Sequence, residues 1–236
     1  MPAQSVYEES STIKCTIGQK LEFGGRTFRY AKAGGAIAAG KVAQAPIPTA
    51  LHGECVKVAG TTINLAGHTT VYVTLGAGAL LKNELKDGAI ACNKVAGALG
   101  ESYRIKGNEA SAGSAAITIY LYDPLYTTWG TVGEVNITKN NYRDVVIVPN
   151  AAQTSKAVGA TIIPITSGYY FWLLTKGPGA GDAVTSTTVP GLGVTIGGTG
   201  TGTITNMTEL LFTQQYGIAM TANIAGEYAQ IDWNFE

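Results

Sequence analysis

The chain has 236 residues, enough to bury the core of one large β domain or of two smaller ones. Sixteen Lys and Arg balance sixteen Asp and Glu, so the basic footprint of a nucleic-acid-binding domain is missing, and near-zero net charge favours self-association. Glycine, at 31 residues, stands well above its usual ~7%, charged residues make up only 14%, and no run approaches the ~18 apolar residues of a membrane span.

The first residues, "MPAQSVYEESS", carry neither the basic head nor the apolar run of a secretory signal. Strand periodicity follows at once. In "STIKCTIGQKLEF" Ile13, Cys15 and Ile17 share one face, followed by Leu21 and Phe23.

Residues 24–46, "GGRTFRYAKAGGAIAAGKVAQAP", lace two arginines between aromatics and then run through Ala and Gly. A nucleic-acid groove would need a basic surround. A phosphate loop would need a following Lys-Ser/Thr pair and a helix. Neither is present, which leaves a β hairpin that serves as an attachment element, with Arg26, Phe28, Arg29 and Tyr30 as candidate anchors because aromatics and Arg dominate interface hot spots. The competing reading is a surface hairpin whose Phe28 and Tyr30 face their own core. Pro46 and Pro48 then mark an extended connector.

Beyond the connector, "HGEC" brings together His52, Glu54 and Cys55, the residue types of a metal or thiol site, with His68 as the one candidate fourth ligand. So compact a set rarely completes a tetrahedron, and no metal is expected. "TTVYVTLGAG" alternates, with Val71, Val73 and Leu75 against Tyr72 and Thr74. "LLKNELKDG" suggests no more than one or two helical turns. "AAITIYLYDPL" sets Ile117, Ile119 and Leu121 against Thr118, Tyr120 and Tyr122 before Asp123-Pro124 stops the run. The result is a half-buried strand with a polar aromatic face, able to stack on sugars or to pack against a protein.

A second boundary falls near residue 149 in "VIVPNAAQTSKAVG". In "GYYFWLLTKGPG" both faces are apolar or aromatic from Tyr169 to Leu174, so this strand is buried on two sides or forms half of an interface. That makes Tyr169, Tyr170, Phe171 and Trp172 further interface candidates. "KGPGAGDA" reads as a turn cluster and "GLGVTIGGTGTGTIT" as an exposed hairpin or loop. "NMTELLFTQQYG" is a second short helical candidate. The organisation expected is all-β, with β-sandwich or β-barrel domains: an N-terminal β arm over 1–48, a middle domain over 49–148 and a C-terminal barrel or sandwich over 149–236.

Catalytic constellations are thin. Two histidines leave little for a nucleophile–histidine pair. Asp87, Glu101, Asp123 and Asp182 lie in turn-like contexts where Asp and Glu cap local backbone. Cys15, Cys55 and Cys92 are odd in number and lack a CxxC pair, and read as small buried hydrophobes. The sequons at Asn136 and Asn206 read as chance matches. No cofactor and no enzymatic activity are expected.

Three stretches taken together, "GGRTFRYAKAGGAIAAGKVAQAP", "ESYRIKGNEA…AAITIYLYDPL" and "GYYFWLLTKGPG", resemble structural proteins of tailed bacteriophages, in particular the small β-rich proteins that decorate or cement the capsid. The resemblance spans residues 24–178 and carries no active site. It implies a virion protein made in the host cytoplasm, a homotrimer on the outer capsid surface, with the major capsid protein as partner and neither nucleic acid nor membrane. An N-terminal arm would add a strand to a neighbour. The alternatives are a carbohydrate-binding or adhesin module, and another virion component such as a tail-tube protein.

Overall fold

The structure, a computed structural model, describes residues 3–48, 56–58 (backbone only), 64–94, 98–130, 133–150, 153–183, 187–197, 200–207, 214–224 and 226–236. The fold is all-β, and no helix forms among the described residues. In chain order the strands are β1 (Lys20–Phe23), β2 (Arg26–Lys32), β3 (Val42–Gln44), β4 (Val56–Val58), β5 (Thr70–Thr74), β6 (Ala89–Cys92), β7 (Ser102–Asn108), β8 (Ala116–Leu121), β9 (Glu134–Thr138), β10 (Val146–Ile147), β11 (Ala157–Ala160), β12 (Tyr170–Asp182), β13 (Gly193–Ile196), β14 (Ile204–Asn206), β15 (Gly217–Ala219) and β16 (Tyr228–Asn234). "LLKNELKDG" forms consecutive turns, and part of "NMTELLFTQQYG" lies outside the described residues.

The expected division into arm, middle and C-terminal domains gives way to two units. Residues 1–46 and 141–236 form one, and 47–140, inserted into it, form the other. The insertion is tied off neatly in the first unit. β3, just before it, and β10, just after it, pair antiparallel, with Val146 opposite Gln44 and Ile147 opposite Ala43. Strands on either side of an insertion must lie close together for the host sheet to close without it. Pairing between residues a hundred positions apart leaves no local mark, so composition placed the boundaries at prolines and loops instead.

The first unit is one sheet in the order β10-β3-β11-β12-β16-β15-β13-β14, with β2 paired along the first half of β12, across from β11, and β1 beyond β2. The β1–β2 hairpin closes on Gly24-Gly25, both with positive φ (59° and 74°), between the paired Phe23 and Arg26. A two-residue turn of this kind matches the twist of the strands and needs left-handed backbone at both positions, which glycine supplies at no steric cost. Residues 3–19 do not extend as a free arm. Ser10 and Tyr170 exchange backbone hydrogen bonds of 2.9 and 2.8 Å, and Gln4 is buried beneath them.

β12 organises the unit. In its first half Phe171 and Leu173 enter one core with Ala31, Ala33, Ile37, Ala43 and Val158. Trp172 and Leu174 enter another with Phe28, Tyr30, Val42 and Trp233. Burial on two faces is as expected, and this chain accomplishes it with its own strands. The small-residue run 31–45 follows from the same packing, since Ala31, Ala33, Ala43 and Ala45 are buried where larger side chains would force the layers apart.

The second half of β12 corrects the reading of "KGPGAGDA" as a turn. The strand continues to Asp182, paired along β16 from Lys176↔Asn234 to Asp182↔Tyr228. Hydrogen-bonded pairs alternate from Thr175–Phe235, so position 178 points its nitrogen away from β16 and tolerates Pro. Gly179 and Gly181 face inward. A Cβ on Gly179 would stand 2.4 Å from Leu174 Cδ2, and one on Gly181 would stand 3.0 Å from Trp233 Cζ2, so the glycines make room for the indole. Within the tract 191–205, β13 pairs antiparallel with β14, and Val194 and Ile204 are buried where exposure was expected.

In the inserted unit six strands pair in a closed ring, β4-β5-β8-β7-β6-β9. Alternation reads through directly: β8 is buried at Ile117, Ile119 and Leu121 and β5 at Val71 and Val73, and these meet Ile90, Ile105, Val135, Ile137 and Trp129 in one core.

Candidate functional site

The two aromatic stretches singled out in the sequence are neighbouring strands. Trp172 stands opposite Tyr30, Phe171 opposite Ala31 and Leu174 opposite Phe28. Phe28 and Tyr30 are fully buried, and Phe171 and Trp172 are 1% exposed. This corrects their assignment as interface anchors: the aromatic character serves the core. Tyr169 and Tyr170 are half-buried, and the Tyr170 ring stacks against Tyr30 at 6.1 Å. Since 169–174 is covered within the chain, it gives no reason for a ring of subunits.

The arginines are also engaged. Arg29 Nε donates to Glu236 Oε1 at 2.8 Å, and Glu236 also accepts from Thr175 Oγ1 at 3.1 Å. Burial pushes the Glu236 carboxyl upward, but Arg29, Thr175 and Lys20 outweigh it and hold it below the ordinary range. Arg26 Nη2 donates to the Tyr7 hydroxyl at 2.9 Å, and its guanidinium lies 5.2 Å from the centre of the Phe28 ring.

The residues considered for chemistry are dispersed. His52, Glu54 and Cys55 lie outside the described residues, and His68 is exposed. No group of metal-ligating side chains occurs among the described residues. Burial pushes the Cys92 thiol up to about 12, so it packs as a hydrophobe, while Cys15 is half-buried. Asp182 is buried and ion-paired with Lys41. Asp87, at φ 62°, accepts from Tyr122 (2.9 Å) and Arg104 (3.2 Å). Glu101 Oε2 accepts from the Tyr103 hydroxyl at 2.7 Å and from Trp129 Nε1 at 3.3 Å. Each carboxylate thus holds local structure together.

In the first unit β12, β16 and β15 present one face to solvent. Alternation places Lys176, Pro178 and Ala180 of β12 beside Asn234, Asp232 and Gln230 of β16. Ile218 of β15 stands opposite Asp232, and Met220 follows on the same face. Ile218 is 44% exposed, Met220 48% and Tyr228 49%. Along one margin the β1–β2 hairpin presents an exposed Phe23 beside a cleft of about 580 Å³, lined by Lys20, Glu22, Arg26, Lys176, Asp232 and Glu236. Three cations and three anions cancel, so the cleft selects for no strongly charged ligand. A second hollow of about 390 Å³ shares Arg26 and Pro178 with it and reaches Tyr228.

Sequence reasoning missed this face. β15 has three residues, too few to show a period, and β16, "YAQIDWN", announces its buried set (Ala229, Ile231, Trp233) but not what its outer set lies beside.

The chain matches no family model, no curated protein and no solved structure.

Proposed function

We propose that this chain is a non-enzymatic structural protein of a bacteriophage virion. As a decoration or cement-type protein, it attaches to the outer surface of the major capsid protein lattice and stabilises the shell. The observation that carries the reading is the open face of β12, β16 and β15. It is an open sheet face with three large apolar side chains nearly half exposed, bordered along one margin by a cleft whose charges cancel. Such a face suits a broad protein surface better than a small molecule, because its energy comes from area and shape rather than from a few directed polar groups. The resemblance of residues 24–178 to phage decoration proteins supplies the partner, the homotrimer and the place on the particle.

Attachment is therefore moved from the 24–46 hairpin strand to the sheet beside it, with Phe23 and Arg26 at the margin. The test is co-sedimentation with shells assembled without the protein. Binding should saturate in a fixed ratio to the capsid subunit and be lost in Ile218→Asp/Met220→Asp, a variant that alters exposed positions only. Full binding by that variant, folded, would remove this face from the account.

A further inference from the structure

The outer wall of the inserted barrel holds a groove of different character. Tyr120 on β8 stands opposite Thr70, and Tyr72 on β5 opposite Thr118, so the two tyrosines share the outward face. In β7 a bulge makes Lys106 an extra residue between Ile105, opposite Leu121, and Gly107, opposite Tyr120. The bulge opens a groove of about 280 Å³ lined by Thr69, Asn83, Lys106, Gly107, Tyr120 and Leu121.

Its parts are set in place before any ligand arrives. The Tyr120 hydroxyl donates to Glu109 Oε1 at 2.9 Å, and Glu109 is itself met by Lys82 at 3.4 Å, so the ring is fixed and that carboxylate is already engaged. Asn83 is held at φ 60° with its N–H on the Asn108 carbonyl at 3.0 Å. A Cβ at position 107 would stand 2.5 Å from Asn83 Oδ1, so glycine lets the carboxamide lie against the strand. Among the described residues the side chains of Thr69, Asn83 and Lys106 have no hydrogen bond or ion pair, and Lys106 carries the one charge in the lining.

We propose that this groove binds an acidic saccharide, with a pyranose ring against the face of Tyr120, its carboxylate on Lys106, and ring hydroxyls on Thr69 and Asn83. An aromatic face accepts the apolar C–H face of a sugar, and a lone ammonium among neutral hydroxyl and amide groups selects a single negative charge. The space holds one ring. An extended peptide finds no free strand edge here, because the six strands pair in a closed ring. The site is independent of the shell-binding reading, since it lies wholly within residues 69–121.

The test is a titration of the full chain with glucuronate, galacturonate and N-acetylneuraminate, followed by backbone amide NMR shifts, with glucose and acetate as comparisons. At least one acidic sugar should bind saturably with a Kd of about 1 mM, weak because a single exposed ring is engaged. Shifts should be confined to residues near 69, 83, 106 and 120. Lys106→Ala should weaken binding about tenfold, and Tyr120→Ala should abolish it while Tyr120→Phe retains it. No shift with any acidic sugar, or equal affinity for glucose or acetate, would overturn the proposal.

Discussion

Tyr30 and Trp172 stand directly opposite one another on β2 and β12, their rings edge to face with centroids 5.0 Å apart. Both reach Gln4: the Tyr30 hydroxyl donates to Gln4 Oε1 at 2.8 Å and Trp172 Nε1 to the Gln4 carbonyl at 3.0 Å. Gln4 Nε2 in turn donates to the carbonyls of Glu8 and Tyr170. One buried hub thus ties the N-terminal segment, the hairpin and the central strand. Trp172→Ala should cost about 3–5 kcal/mol, the transfer and cavity terms of a large buried aromatic. Tyr30→Phe should cost about 1–3 kcal/mol by stranding Gln4 Oε1 and the Lys14 N–H that donates to Tyr30 Oη. Chemical denaturation of both variants measures this, and Tyr30→Phe should also make residues 3–19 more accessible to protease.

The discontinuous unit makes a second prediction. Deleting residues 1–45 removes Phe28, Tyr30, Ala31, Ala33 and Val42 from the cores of the first unit and leaves β12 without its β2 neighbour. That unit should fail to fold. Residues 47–140, whose core is self-contained, should fold alone, giving dispersed amide NMR signals and a cooperative melt.

The barrel should weaken in acid through Glu101. Burial pushes its carboxyl upward, but hydrogen bonds from Thr127, Tyr103 and Trp129 outweigh that and hold it below the ordinary range. A depressed folded-state pKa stabilises above the unfolded value, and that contribution is lost as pH falls through the folded one. Wild-type Tm should therefore fall below pH ~4.3, the unfolded Glu value, and Glu101→Gln should flatten that part of the curve.

Arg29→Ala separates structure from attachment. The pair with Glu236 is partly exposed, 29% and 27% for the two side chains, so its loss should cost no more than about 1 kcal/mol. Shell binding should be unchanged, because the guanidinium is committed to Glu236 and to the Gly18 carbonyl at 3.2 Å.

Much of the strand content could be read from period alone. β5 and β8 alternate because one face meets the barrel core, and the apolar run is buried on both sides from Phe171 to Leu174. Two things were hidden. The pattern of "RTFRYAK" comes from burial on both faces, which leaves a polar-looking strand because Arg26, Arg29 and Lys32 reach out from half-buried positions. "KGPGAG" looks like a turn because its inward positions are glycine, a choice made by Trp233 more than fifty residues later. The candidate face was illegible for a similar reason: Ile218 and Met220 lie on and just after a three-residue strand, and Tyr228 opens a strand whose neighbours are set by pairing, with no local period to reveal it.

The most direct measurement of the central claim is a cryo-EM reconstruction of phage shells saturated with this protein. The account predicts ordered density on the outer surface in which Ile218, Met220 and Tyr228 meet the capsid lattice, together with shells that withstand heating better than bare ones. Shells that bind no protein, or bind it with that face turned to solvent, would contradict it.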